Sequence, residues 1–267
     1  MKIFKKFLKA NVKSQYYLKV KGALIANGTS NETIYFTSVD DNTVGGVTGT
    51  GSPTAGNWSG IIFSGDASDL STSIMKYCDV RYGATNIYCL KVIYSANPVI
   101  QNCKVTTSLN YGIRISESSP QIDTCLISAN TTYGIYISSG IPLITNSLIT
   151  NNNNIGIYID NSSPILKKVT SANNASYGIS LAGSSSSVNF TDLVLSNNVN
   201  KGIAVFSITS SDTWTNLGVP YIIVANITID NGITLKIMRG VVVKFTDKFY
   251  IKVLGRLIAE GTPADTI

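Results

Sequence analysis

The 267-residue sequence predicts an all-β fold: a single-stranded parallel β-helix, or solenoid, with coils of about 22 residues. Three observations lead there. A Gly-Ile pair recurs as Gly112-Ile113, Gly134-Ile135, Gly156-Ile157, Gly178-Ile179 and Gly202-Ile203, evenly spaced except for a slightly longer last step. A second marker keeps the same phase, since Pro98, Pro120, Pro142 and Pro164 recur at that same even spacing. Within one unit, Tyr133 to Asn154, apolar residues alternate as Ile135-x-Ile137 and recur at Leu143-Ile144 and Leu148-Ile149 between Ser, Gly and Asn, which is a strand pattern with nothing of helical length. Units of this size cannot bury an apolar face alone and must stack on their neighbours.

Each unit therefore supplies two or three short strands. If it closes one turn of a coil, equivalent strands lie parallel about 4.8 Å apart and identical positions form ladders. Ile113, Ile135, Ile157, Ile179 and Ile203 make one interior ladder, with Ile115, Ile137, Ile159, Leu181 and Val205 beside it. β-Branched residues suit such a buried pleated surface, and each contributes roughly 1.5–3 kcal/mol on burial. The Gly of each pair provides a backbone conformation or a close approach that a side chain would obstruct. The Pro opens the next strand, where a missing N–H costs least. Asn-rich turns such as Asn151 to Asn154 and Asn173-Asn174 suit left-handed corners and stacked amides.

The string from Tyr111 to Asn130, Tyr-Gly-Ile-Arg-Ile-Ser-Glu-Ser-Ser-Pro-Gln-Ile-Asp-Thr-Cys-Leu-Ile-Ser-Ala-Asn, and its copies resemble the right-handed parallel β-helix repeats of pectate lyases, tailspikes and many bacterial surface proteins. The resemblance covers about Ile74 to Phe206. It implies a right-handed coil, in line with the usual hand of β-crossovers. It implies little about chemistry, because those proteins range from lyases and epimerases to members without known activity.

Residues 1–21 read as a basic N-terminal segment and candidate cap, with Lys2, Lys5, Lys6, Lys9, Lys13, Lys19 and Lys21, and Met1 to Ala10 is expected to form a short capping helix. The β-helix is assigned to residues 22–267, regular over about 74–206 and less regular over 207–267. Val20 to Thr29, near the start, is similar to Val253 to Thr262, near the end, so the chain is expected to be a fragment or one module of an array, joined to further modules of a longer chain.

The net charge is +6, yet no nucleic-acid motif accompanies the basic end and no nucleic-acid partner is expected. No apolar run has the length of a signal peptide or a membrane span. The resemblance to surface proteins nevertheless implies an extracellular or cell-surface location.

The chain contains no His, which removes the commonest general base and most zinc sites. Asp79, Glu117, Asp123, Asp160 and Asp192 share no phase, and no pair suits glycosidase chemistry. Asp79, Arg81 and Arg114 form the best catalytic candidate cluster, which a surface ion pair explains equally well. No metal or cofactor is expected, Ca²⁺ lacking convergent carboxylates. Cys78, Cys103 and Cys125 fall in phase, in a slot continued by Ser147, Val169 and Thr191, and read as buried free thiols; Cys89 lies outside that ladder.

Two outward rows are richer. One holds Arg114, Tyr136, Tyr158, Ser180 and Ala204, and the other Tyr111, Tyr133, Ile155, Tyr177 and Lys201. Rows of exposed rings can serve as platforms for sugars, so Tyr111, Tyr133, Tyr136, Tyr158 and Tyr177 are the candidate ligand-binding residues. Tyrosine also simply suits a strand surface. The expected role is a surface scaffold with an adhesive or glycan-binding function and a polysaccharide or cell-surface glycan as partner. The alternatives are a polysaccharide lyase or glycoside hydrolase of the β-helix class, and a trimeric tailspike-like protein.

Overall fold

A computed structural model describes residues 8–10, 16–65, 72–90, 96–184 and 188–262. Among these, every regular element is a β-strand, and strands of successive coils pair in parallel. The register is the one the repeat dictates: Ile113 faces Ile135, then Ile157, Ile179 and Ile203. All five are fully buried, as are Ile115, Ile137 and Ile159.

One coil illustrates the whole. Its strands Ile135–Ser138, Leu143–Thr145 and Leu148–Thr150 belong to three sheets of ten, seven and eight strands that enclose one core. At each corner the backbone turns through a single left-handed residue, for example Ser139, Asn146 and Asn151, with φ of 55°, 50° and 54°. Such a residue costs least when it is Gly or Asn. The prolines stand immediately before the strands of the seven-stranded sheet and keep their carbonyls in the ladder: Leu143 N donates to Pro120 O at 3.1 Å and Ile165 N to Pro142 O at 3.0 Å.

The recurring glycine is required by close approach. A Cβ on Gly134 would lie 2.7 Å from Gly156 O and 2.8 Å from Asn152 Nδ2. Beneath the glycines runs a buried amide column in which Asn130, Asn152 and Asn174 each donate from Nδ2 to the Oδ1 of the next residue, ending at Asn198, every contact being 2.9 Å. The Asn pairs divide the work, since Asn151 and Asn173 take the left-handed corner while Asn152 and Asn174 turn inward.

Cys78, Cys103 and Cys125 are buried and free. Each thiol donates to the carbonyl two residues back, as Ser147 Oγ does to Thr145 O, so thiol and hydroxyl fill the same slot. The slot passes through Val169 but continues to Leu193, not to Thr191. Ile165 pairs with Asn189, a longer step than that from Leu143 to Ile165 in the coil before, so Thr191 falls on an exposed strand position.

Solenoid pairing begins earlier than residue 22. Leu8–Ala10 pairs with Phe36–Ser38, and Tyr17–Val20 with Gly60–Phe63. Leu8–Ala10 is thus a strand, in place of the expected capping helix, and the rest of Met1 to Ala10 lies outside the described residues, as does Ile267. Past Ser196 the seven- and eight-stranded sheets give way to smaller ones, Asp212–Trp214 with Thr234–Ile237 and Arg256–Ala259, and Ile227–Ile229 with Ile251–Val253.

Candidate functional site

Strands of the ten-stranded sheet bury alternate residues, which fixes what they display outward. One outward row runs in register through Ile62, Tyr88, Arg114, Tyr136, Tyr158, Ser180 and Ala204. Tyr111 and Tyr133, each just before a repeat glycine, lean into the same area. The Arg114 guanidinium carbon lies 4.8 Å from the ring centre of Tyr88, 5.7 Å from Tyr136 and 5.9 Å from Tyr111. Such contacts hold a cation by the negative faces of the rings. Among the described residues Arg114 meets no carboxylate within ion-pairing reach, and its buried Nε has no hydrogen-bond partner.

The tyrosines stack on one another. Tyr133 and Tyr158 are 5.1 Å apart with planes 7° from parallel, and Tyr136 and Tyr158 are 5.6 Å apart at 13°. The rings therefore stand like plates along the solenoid axis, with their faces turned to each other. Stacked in this way, the rings offer a pyranose less open face than rows of separate exposed rings would. Burial raises the hydroxyls of Tyr133 and Tyr136, and burial with the nearby Asp160 carboxylate pushes Tyr158 up to about 12, so all three remain neutral donors at ordinary pH.

The array is shorter than the two rows implied. Tyr177 is half-buried and joins no described ring contact, because Ile155, itself buried, separates it from Tyr133. Ser180 and Ala204 point outward but are fully buried, and the rings of Tyr158 and Phe206 meet 5.9 Å apart alongside them.

Asp79 and Arg81 lie elsewhere, on the strand Cys78–Arg81 of the eight-stranded sheet, and the fold does not bring Arg114 to them. Arg81 instead finds Asp41: Nε donates to its Oδ2 at 2.8 Å, and Nη2, which donates to Thr43 Oγ1, lies 2.7 Å from the same oxygen. Thr37 Oγ1 and Thr43 Oγ1 donate to the same carboxylate, at 2.5 and 2.6 Å. Asp79 Oδ2 is 3.6 Å from Arg81 Nη1, and its Oδ1 is buried without a partner. Burial alone would raise Asp41, but the two threonine hydroxyls and Arg81 outweigh it and hold its carboxyl below the ordinary range. Burial raises Asp79, against the pull of Arg81 and Lys104. Two carboxylates thus flank a guanidinium, but Asp41 is fully buried and closed by four donors.

Among the described residues no three His, Cys, Asp or Glu side chains gather as a metal site. In the thiol column, neighbouring Cys103 and burial push Cys78 and Cys125 up, away from the reactive thiolate form. Glu117, at the left-handed corner after Ile113–Ser116, and Asp123, on the strand Gln121–Asp123, lie near different strands, as expected; Asp123 accepts from Thr145 Oγ1 at 2.6 Å. No described helix is long and apolar enough to cross a membrane.

With this geometry in view, residues 59–216, more than half of the chain, match the family described as the right handed beta helix region. The chain belongs to that family. Its coil is accordingly right-handed, and the parallel pairing above is the family's architecture. No curated protein matches this β-helix. A solved structure, the crystal structure of the Agl-KA catalytic domain, is similar at a TM-score of 0.41 and 11% identity over 91% of this chain and 62% of its own. The β-helix described here therefore spans less than two thirds of that domain, and a likeness of this size says nothing about its chemistry.

Three contributors escaped the sequence reading. Asp41 sits outside the repeat. Tyr88 pairs with Arg114 across a coil longer than the regular repeat, so the phase of the Gly-Ile pairs passes it by. Phe206 follows the last repeat strand, where only its place after Val205 hinted at a role.

Proposed function

We propose that this β-helix is an extracellular or cell-surface scaffold that binds a glycan along the tyrosine–arginine strip of its ten-stranded sheet. The single observation carrying this reading is the contiguous group Tyr88, Arg114, Tyr111, Tyr133, Tyr136 and Tyr158, half-exposed on a regular sheet. Neutral phenol hydroxyls in rows about 4.8 Å apart offer donors and acceptors at a spacing close to that of successive sugars. The stacked rings hold these groups rigidly, which limits the ordering cost of binding.

Replacing Tyr136 and Tyr158 together with Ala should abolish retention on a panel of immobilised polysaccharides while leaving the circular dichroism spectrum unchanged. Retention equal to the parent's would end this reading. A second reading, polysaccharide cleavage, draws on Asp41 and Asp79 flanking Arg81, but it needs a substrate to reach a carboxylate with no exposed surface. Reducing sugar released by the parent and not by Asp79→Asn would favour it.

A further inference from the structure

Arg114 differs from an ordinary strand arginine. Three rings surround its guanidinium at 4.8–5.9 Å, and no described carboxylate neutralises it. Its Nε is buried without a partner. A flat guanidinium fixed between rings presents its remaining N–H groups in one plane, the arrangement that recognises a planar carboxylate edge to edge. The opposite sign stands two coils further on. Arg114 is in register with Tyr136 and Tyr158, and Asp160 follows one outward position beyond Tyr158, in the row of Ser116 and Ser138. Two coil rises separate the charges by about 10 Å along the axis. Asp160 Oδ1 accepts from Asn161 Nδ2 at 2.9 Å, and its carboxylate acts on both the Tyr136 and Tyr158 hydroxyls, so it belongs to the strip.

Resting on the glycan-binding reading, we propose that the strip is polar along the solenoid axis and selects an isolated uronate. The sugar carboxylate seats on Arg114, and neutral sugars run over the tyrosine hydroxyls towards Asp160, which accepts from their hydroxyls. A polymer with a carboxylate on every sugar would place a second anion against Asp160 and be penalised. A wholly neutral chain would leave Arg114 unpaired. Charge sequence, and with it chain direction, is therefore read by two residues at opposite ends of a hydroxyl-lined track.

The experiment is calorimetric titration of the whole chain with three probes: a neutral xylotetraose, a xylotriose bearing one glucuronate, and trigalacturonate. The singly charged probe should bind best. Arg114→Ala should weaken it by about tenfold or more, the scale of a lost charged hydrogen bond, and bring it level with the neutral probe, whose affinity stays the same. Arg114→Lys should keep part of the preference. Asp160→Asn should strengthen trigalacturonate alone, and salt should weaken only the charged probes. Equal binding of neutral and singly charged probes, or an Arg114→Ala loss shared by both, would overturn the uronate preference and leave glycan binding standing. No binding of any probe, together with parental polysaccharide retention by the Tyr136→Ala/Tyr158→Ala variant, would overturn both. Melting curves of each variant separate lost recognition from lost folding.

Discussion

Arg81 and Arg114 project from two sheets of one solenoid, and both lie against tyrosine rings. Arg81 sits 5.5 and 5.7 Å from the rings of Tyr35 and Tyr82, much as Arg114 sits against its three. Their polar surroundings are opposite. Arg81 is consumed by Asp41, Thr43 and Asp79, whereas Arg114 has aromatic contacts and no described ion pair. The difference separates a side chain that fastens the residues after Ser38 to the coil from one held by rings without a described carboxylate partner. It also shows why a nearby carboxylate weakens the case for an arginine as a binding residue: an ion pair already completed inside the protein has little to offer outside it.

The largest expected effect tests the closed half of this comparison. Arg81→Ala leaves the fully buried Asp41 carboxylate without its cation, and breaking a buried pair in this way costs about 3–5 kcal/mol. Urea unfolding should register that loss as a lower midpoint. Equal destabilisation by Arg114→Ala would erase the distinction between the two arginines.

A buried polar residue without charge sharpens the scale. Asn152 donates to Asn174 and accepts from the backbone and side-chain amides of Asn130. Asn152→Ala strands those groups beside the close-packed glycines and should cost about 1–3 kcal/mol, less than Arg81→Ala, in the same urea series.

The sequence registered some of these groups and missed others for physical reasons. The isoleucine ladders were readable because one buried face per strand forces a strict period, and a slip by one residue would expose the whole set. Asn152 and Asn174 were readable as stacked amides for the same reason, although which Asn of each pair turns inward was not. Asp41 was invisible because it reaches Arg81 from 40 residues away and outside any repeat. The tyrosine rows were readable as rows, but ring tilt depends on neighbouring side-chain rotamers, and the rings face one another instead of solvent. Asp79, Arg81 and Arg114 are all legible in sequence as outward charges, but the assignment of their strands to different sheets is not.

Acid titration probes the carboxylates on either side of Arg81, with a smaller effect. Asp79 has a raised value in the fold, so the native state binds its proton more readily than the unfolded chain does. Its contribution therefore increases stability as pH falls through that raised value. Asp41 has a lowered value, so its contribution is present above the ordinary carboxylate pKa of about 3.9 and is lost as pH falls through the lowered one. Stability should first rise and then drop on acidification. Asp79→Asn should be more stable than the parent at neutral pH, by at most about 1 kcal/mol, and the gain should vanish in acid. A variant that loses stability at neutral pH would place Asp79 among the clamping residues and remove the contrast with Asp41.

The smallest effect tests the open half. Tyr88→Leu keeps most of the apolar contact on the strand but removes the ring nearest the Arg114 guanidinium, at 4.8 Å. A cation–π contact at a partly exposed position contributes about 0.5–1 kcal/mol, so the thermal midpoint should fall only slightly. Binding of the singly charged xylotriose should fall further, because a guanidinium released from its ring must be ordered again when the carboxylate arrives. If stability and affinity drop by the same small amount, the rings merely pack against Arg114. A larger loss of affinity than of stability would mean that the aromatic cradle, by holding an unpaired cation in place, prepares it for its ligand.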